Sequence, residues 1–179
     1  MKLTEKQLKS NTLYKGKIIT LNVDEVELPD GKLSSREYVK HSGGAAVLLV
    51  SSGAVLLVKQ FRYAYGKEIY EIPAGKLNKN EDGKIAAARE LEEETGYRAE
   101  LIKMLDIYPS PGYTNEVIQI FFAKSYNFVG QRLDEGEFLN YELVPLEDVV
   151  KMIERGEICD AKTVSAIYKY LSENKQNLM

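Results

Sequence analysis

Two apolar runs beside a short turn constrain the fold of this chain more than any other feature. The runs read AAVLLV and AVLLVKQFR, and they flank the turn sequence SSG at positions 51–53. Strands this apolar are buried on both faces, so each face needs a covering layer. Helical patterns follow such strands along the rest of the chain. The sequence therefore predicts an α+β chain, in which a mixed central sheet is packed between helices.

The N-terminal part predicts an antiparallel β-hairpin. Polar and apolar residues alternate on both sides of the sequence PDG, which is a strong turn signal. We expect strands near 16–28 and 33–41. We therefore divide the chain into an N-terminal hairpin region over residues 1–41 and a second domain over residues 42–179.

Composition excludes several classes of protein. The 179 residues carry a net charge of −3 without a basic block, which argues against a nucleic-acid partner. Cys159 is the only cysteine, so no disulfide forms within the chain, and a reducing compartment is expected. The sequence shows neither a secretory signal nor an apolar run of membrane-spanning length, so we expect a cytoplasmic protein without a membrane partner. The single histidine, His41, excludes sites that need several histidines from one chain.

The segment GKLNKNEDGKIAAARELEEETGY, residues 75–97, predicts a loop followed by a helix. Asp82 is a suitable N-cap, and Gly96 is suited to end the helix. Helical geometry places Glu90, Glu93 and Glu94 within about a third of a turn, where like charges repel. Such a cluster is either a solvated acidic surface or a site for a hard divalent cation, which takes oxygen ligands.

The spacing of the whole segment favours the cation site. Gly75 is followed after five residues by Glu81, and the sequence RELEEETG follows after seven more. At background frequencies of roughly 5–8% per residue type, a chance match is on the order of 10⁻⁸ per starting point. The segment resembles the Nudix box, with Tyr97 at a position that is usually aliphatic. The order of elements around it also resembles the α/β/α sandwich of that family.

The resemblance implies a chemistry and a set of residues. Nudix enzymes cleave nucleoside diphosphates linked to another group, and they use Mg²⁺, for which Mn²⁺ substitutes. By position, Glu90 and Glu94 are expected to bind the metal, together with the carbonyl of Ala74. Glu93 is expected to assist them, and Arg89 is expected to orient the carboxylates.

Features outside the box resemble the ADP-ribose pyrophosphatase branch of the family. In YPSPGYTNE, the turn at Pro111 is expected to direct Glu116 towards the terminal ribose hydroxyls. Arg62, in the sequence QFR, is expected to contact the substrate phosphates, with Glu71 nearby. Arginine suits this role because its fork is planar and always charged. Arg36 is a further candidate for phosphate binding.

The late loop RLDEGEF provides candidates for a general base. Hydrolysis needs a base within hydrogen-bond reach of the attacking water. By resemblance, Glu135 is the expected base and Glu137 an additional metal ligand, although the two roles could be exchanged.

The resemblance thus implies Mg²⁺-dependent hydrolysis of ADP-ribose to AMP and ribose 5-phosphate. One alternative is the same reaction on another nucleoside diphosphate sugar. Another is a non-catalytic nucleotide-sensing domain, which the complete set of box glutamates argues against. Residues 1–41 are expected to form a homodimer with a second copy, because an isolated hairpin is marginal in water.

Overall fold

The computed structural model describes residues 2–174, which form two compact units. The first unit comprises the chain up to Gly43 together with Tyr108–Val117. The second comprises Gly44–Ile107 and the chain from Ile118 onward.

The first unit is built on a three-stranded antiparallel sheet in the order β1-β2-β3. Its strands are β1 (Lys6–Lys15), β2 (Ile19–Glu27) and β3 (Leu33–His41). The β2–β3 pair is the hairpin that the sequence predicts. Strand β1 was not predicted, because all ten of its residues are exposed and its polar sequence shows no core-facing alternation.

The segment 108–117 is hydrogen-bonded to β3. The amide of Val39 donates to the carbonyl of Tyr113 at 2.7 Å, and the amide of Asn115 donates to the carbonyl of Val39 at 3.3 Å. The loop that contains Pro111 and Glu116 is therefore part of the first unit.

The second unit contains two four-stranded sheets and three helices. One sheet has the order β8-β4-β10-β9, in which β4 and β10 are parallel and the other pairs antiparallel. The other has the order β11-β6-β5, with β7 paired to β6. The strands are β4 (Gly44–Leu48), β5 (Val50–Ser51), β6 (Ala54–Arg62), β7 (Lys67–Glu71), β8 (Ala74–Lys76), β9 (Tyr97–Ile107), β10 (Ile118–Phe128) and β11 (Leu139–Pro145). The helices are α1 (Gly83–Thr95), α2 (Leu146–Glu154) and α3 (Ala161–Glu173).

Strand β4, which contains the first four residues of AAVLLV, is buried on both faces, as predicted. Ala46 and Leu48 belong to a core cluster with Val149 of α2 and Ile167 of α3. The alternating residues of the same strand belong to a second cluster with Leu91 of α1. A period of two thus distributes one strand between helices on opposite sides of the sheet, which is the layered arrangement expected.

Tyr97, the departure from the Nudix box, lies in an aromatic cluster. Its ring meets those of Phe128, Tyr126 and Tyr141 edge-on, with centroids 5.4, 5.8 and 6.4 Å away. Edge-to-face pairs of this kind are favourable because the ring edge is positive and the ring face negative. The three neighbours explain why an aromatic residue fits at this position.

No helix within residues 2–174 is long and apolar enough to cross a membrane.

Candidate active site

Helix α1 has the ends that the sequence predicts. The side chain of Asp82 accepts hydrogen bonds from the amides of Lys84 at 2.9 Å and Ile85 at 3.3 Å. Gly96 has φ 75°, and its amide donates to the carbonyl of Glu92 at 2.8 Å. Glycine adopts this left-handed conformation without a steric cost, which ends the helix.

Two box glutamates lie on the buried face of α1. Glu90 is 9% exposed and Glu94 is 4% exposed, alongside the core residue Leu91, while Ile85 faces solvent. Ionised carboxylates are rarely buried without a partner, since desolvation costs several kcal/mol. The burial favours a functional site over a solvated acidic surface.

Glu94 is the most perturbed carboxylate of this group. Burial, followed by the charges of Glu90, Glu137 and Glu71, raises the pKa of Glu94 to about 8. One hydrogen bond opposes this shift, since the amide of Ala74 donates to Glu94 Oε2 at 3.0 Å. This contact places Ala74 beside Glu94 through its amide, whereas the predicted metal ligand is its carbonyl.

Arg89 holds the remaining carboxylates in place. Its Nη1 atom donates to Glu90 Oε1 at 2.8 Å and to Glu93 Oε2 at 2.9 Å. Its Nε and Nη2 atoms contact Glu81 at 3.1 and 3.2 Å, and Nη2 also donates to the carbonyl of Lys76 at 3.2 Å. The guanidinium therefore joins the loop before α1 to two box glutamates.

Glu90 passes directly over Gly75. Burial raises the pKa of Glu90 although Arg89 lowers it, and a Cβ atom at Gly75 would overlap the Glu90 carboxyl group. The box thus needs glycine here because a helical carboxylate occupies the space of a side chain.

We expect Gly75→Ala to reduce turnover by at least ~10-fold, the usual lower cost of disturbing a ligand's supporting contacts. The added methyl group would displace Glu90 from its position beside Arg89. The test is a comparison of steady-state kinetics between Gly75→Ala and the control variant Gly83→Ala. That control also adds a methyl group near α1, but its methyl would meet the flexible side chain of Gln119. Equal activities would contradict the role assigned to Gly75.

The late loop is anchored to the end of α1. The side-chain amide of Gln131 donates to the carbonyl of Glu94 at 2.6 Å, and the backbone amide of Arg132 donates to the carbonyl of Glu93 at 3.1 Å. Glu137 lies near enough for its charge to raise the pKa of Glu90 and Glu94. Glu135 is exposed in the same loop.

Gln131 was not predicted. Only the capping need of a helix C-terminus could have indicated it.

Arg62 and Glu71 come together at the ends of β6 and β7. The Nε and Nη2 atoms of Arg62 donate to the two oxygens of Glu71 at 2.5 and 2.7 Å. The Glu71 side chain is only 2% exposed, and Lys162 of α3 also donates to it. The charge of Glu94 raises the pKa of Arg62 after the larger effect of Glu71, so this ion pair lies near the box carboxylates. Sequence reasoning did not identify Lys162.

The other candidates lie in the first unit. Arg36 forms a two-point ion pair with Glu5, and its Nη1 atom donates to the carbonyl of Ser35 at 2.8 Å. In the loop that contains Pro111, Glu116 Oε1 lies 3.4 Å from Nδ1 of His41, the last residue of β3.

The donor set fits a hard divalent cation that retains water and binds substrate oxygens. No three acidic, histidine or cysteine side chains form a closed metal cage within the described part of the chain. Mg²⁺ does not require one, because it usually takes one or two protein carboxylates, with water and substrate phosphates completing its shell. Glu90 and Glu94 are buried carboxylates with raised pKa values, and a cation between them would neutralise their repulsion.

Comparisons with known proteins identify the family of this chain. Residues 39–167 match the NUDIX domain, and residues 5–39 match the nucleoside diphosphate sugar hydrolase N-terminal domain. The chain is 46% identical to the ADP-ribose pyrophosphatase of Bacillus subtilis (strain 168), over 97% of each chain. It is 40% identical to the methanol dehydrogenase activator of Bacillus methanolicus, over 94% of each chain.

A solved structure supports the same fold. The crystal structure of an ADP compounds hydrolase superposes with a TM-score of 0.85, covering 99% of this chain and 98% of that one, at 21% identity. The family match spans most of the chain and includes the buried glutamates of α1. The chain is therefore an enzyme of the Nudix hydrolase family.

Proposed function

We propose that this enzyme hydrolyses the pyrophosphate bond of ADP-ribose, with Mg²⁺, to AMP and ribose 5-phosphate. The observation that carries the proposal is the buried pair of Glu90, which accepts from Arg89, and Glu94, which accepts from the amide of Ala74. The 46% identity to an ADP-ribose pyrophosphatase over nearly the whole of both chains supports the choice of substrate.

Each residue has a part in the proposed reaction. Glu90 and Glu94 would hold the cation, with Glu137 and the carbonyl of Ala74 as further oxygen donors. The bound cation would screen the charge of the pyrophosphate and lower the pKa of water. Arg89 keeps Glu90 and Glu93 oriented.

The bond changes are those of phosphoryl transfer to water. The water oxygen forms a bond to one phosphorus while the bridging P–O bond breaks, and Glu135 accepts the proton of the water. Arg62 directs its free donors to the phosphates. Arg36 remains a further candidate for the phosphates, and Glu116, after the turn at Pro111, is the candidate for the ribose hydroxyls.

A substrate panel tests the proposal. ADP-ribose, ADP-glucose, GDP-mannose and UDP-glucose would be compared at equal concentration, with chromatographic separation of products. We expect ADP-ribose to have the highest kcat/KM and to release AMP and ribose 5-phosphate in equal amounts. A higher kcat/KM for another nucleotide sugar would show that this sugar, and not ADP-ribose, is the preferred substrate of the same hydrolysis.

That replacement is the second candidate function. A GDP-mannose pyrophosphatase of Shigella flexneri is 32% identical to this chain and aligns with 86% of it. Relatives of this chain are thus named for different nucleotide sugars, which is why the substrate panel includes GDP-mannose.

We further propose that residues 1–41 mediate a homodimer. All ten residues of β1 are exposed, including Leu8, Leu13 and Tyr14. Exposed apolar side chains on an edge strand are suited to pair with a second copy. Light scattering on the whole protein is expected to give twice the 20.2 kDa mass of the chain.

The replacement of Leu8 and Leu13 by serine should then shift the protein towards the monomer, while Phe138→Ser, at an exposed site outside residues 1–41, should not. A fully active monomer of the wild-type protein would refute the proposal.

A further inference from the structure

Lys162 is a buried lysine in the first turn of α3. Its side chain is 8% exposed, and its Nζ atom donates to Glu71 Oε2 and, at 3.0 Å, to Asp160 Oδ1. A lysine is seldom buried unless it is paired, because its charged form is poorly solvated there. The two carboxylates supply that pairing.

Helix α3 is fixed to the chain beside Glu71. Asp160 caps the helix by accepting from the amide of Thr163 at 3.0 Å, and the Thr163 hydroxyl donates to Asp160 at 2.6 Å. The same hydroxyl oxygen accepts from the amide of Ile72 at 2.8 Å. The position of Lys162 relative to Glu71 is therefore set by a hydrogen-bonded frame.

Glu71 is shared between two cations. One of its oxygens accepts from Arg62 Nε, and the other accepts from both Arg62 Nη2 and Lys162 Nζ. Burial opposes ionisation, but Arg62 and Lys162 together outweigh it and lower the pKa of Glu71. The Glu71 carboxylate is thus ionised, and both of its oxygens accept hydrogen bonds from protein side chains.

The contacts with Glu71 use the Nε and Nη2 atoms of Arg62 and leave its Nη1 atom available for a substrate. Its side chain is 40% exposed, and Nη1 has no protein acceptor among residues 2–174. The Nη1 atom carries two N–H donors. These donors can bind a phosphate oxygen while the opposite edge remains on Glu71.

We propose that Lys162 is a positioning residue for substrate phosphate, acting through Glu71 to hold the guanidinium of Arg62. This inference rests on the proposed contact between Arg62 and the nucleotide phosphates. Without Lys162, the Glu71 carboxylate loses the contact that fixes it to α3, so the ion pair of Glu71 and Arg62 can shift as a unit and carry Nη1 away from the substrate phosphate. Binding then suffers more than the chemical step.

The test compares Lys162→Met, Arg62→Ala and the double variant by kinetics with ADP-ribose. The control is Lys169→Met on the same helix, where the exposed lysine pairs with Glu173 at 2.7 Å. We expect Lys162→Met to raise KM roughly 10- to 100-fold, as for a lost charge-assisted contact, with a smaller change in kcat.

The double variant should have the KM of Arg62→Ala alone, because Lys162 acts through Arg62. Additive increases in KM, or a loss of kcat at unchanged KM, would overturn the proposal.

A second variant covers the case in which Lys162→Met folds poorly. Lys162→Met combined with Glu71→Gln removes both buried charges, so no uncompensated carboxylate remains. We expect this variant to fold, by circular dichroism, and to retain a raised KM. A wild-type KM in that well-folded variant would refute the role of Lys162.

Calorimetric binding of ADP separates this inference from the proposed function. Wild-type protein that binds ADP but does not hydrolyse ADP-ribose would contradict the proposed substrate only. Lys162→Met and Arg62→Ala should then weaken ADP binding by similar factors without adding in combination. Affinity for ADP that is independent of Arg62 would overturn the inference itself.

Discussion

Glu94→Gln should lower kcat by at least ~10²-fold, because it removes a metal-binding charge from the site. The substitution keeps the shape of the side chain, and the amide oxygen can still accept from the amide of Ala74. Folding should be retained. Burial and neighbouring charges raise the pKa of Glu94 to about 8, so without a bound cation this carboxyl group must take up a proton when the chain folds near neutral pH, and the neutral amide avoids that cost. We therefore expect an unfolding temperature equal to or above that of the wild type.

Glu92→Gln is the matched control for this experiment. Glu92 lies on the same helix and pairs with Arg98 at 2.6 and 2.8 Å on the protein surface. Surface ion pairs contribute little to stability, so this variant should keep wild-type turnover. If Glu94→Gln has nearly wild-type turnover at low Mg²⁺, then Glu94 does not bind the metal ion.

Glu135→Gln should lower kcat by ~10²–10⁴-fold, the usual range for the loss of a general base, while ADP-ribose still binds. The loop that carries Glu135 is held at the end of α1 by Gln131 and Arg132. Glu137 affects the pKa of both buried box glutamates, which favours it as the metal ligand of the pair.

The roles of the two loop glutamates are separated by their Mg²⁺ dependence. Glu137→Gln should raise the Mg²⁺ concentration needed for half-maximal activity, whereas Glu135→Gln should lower kcat at saturating Mg²⁺. Asp134→Asn, at an exposed position of the same loop, should match the wild type. If Glu137→Gln loses more kcat than Glu135→Gln and its Mg²⁺ dependence is unchanged, then Glu137 is the base and Glu135 the metal ligand.

Local patterns predicted the box helix well. Asp82 and Gly96 begin and end α1 because capping depends on residues close in sequence. The double burial of AAVLLV was also predictable, since it follows from composition and a period of two. The role of Arg89 followed from the resemblance to the family and stays a prediction, while its hydrogen bonds to Glu90 and Glu93 are present in the fold.

Contacts between distant parts of the chain were not predictable from one sequence. Lys162 and Glu71 are 91 residues apart, and nothing in the helix pattern of α3 marks the lysine as buried. Strand β1 was missed because its side chains do not face a core within the chain. The burial of Glu90 and Glu94 also conflicts with the usual exposure of glutamate, and such conflicts are expected at functional sites.

Turnover of ADP-ribose by the wild-type enzyme, with and without Mg²⁺, tests the central claim most directly. The reaction would be followed by chromatography of AMP and ribose 5-phosphate, with a metal chelator in the second arm. The proposed function predicts equal amounts of the two products with Mg²⁺ and a loss of turnover with the chelator, restored by added Mg²⁺. Absence of both products at saturating Mg²⁺, or full turnover in the chelator, would contradict it.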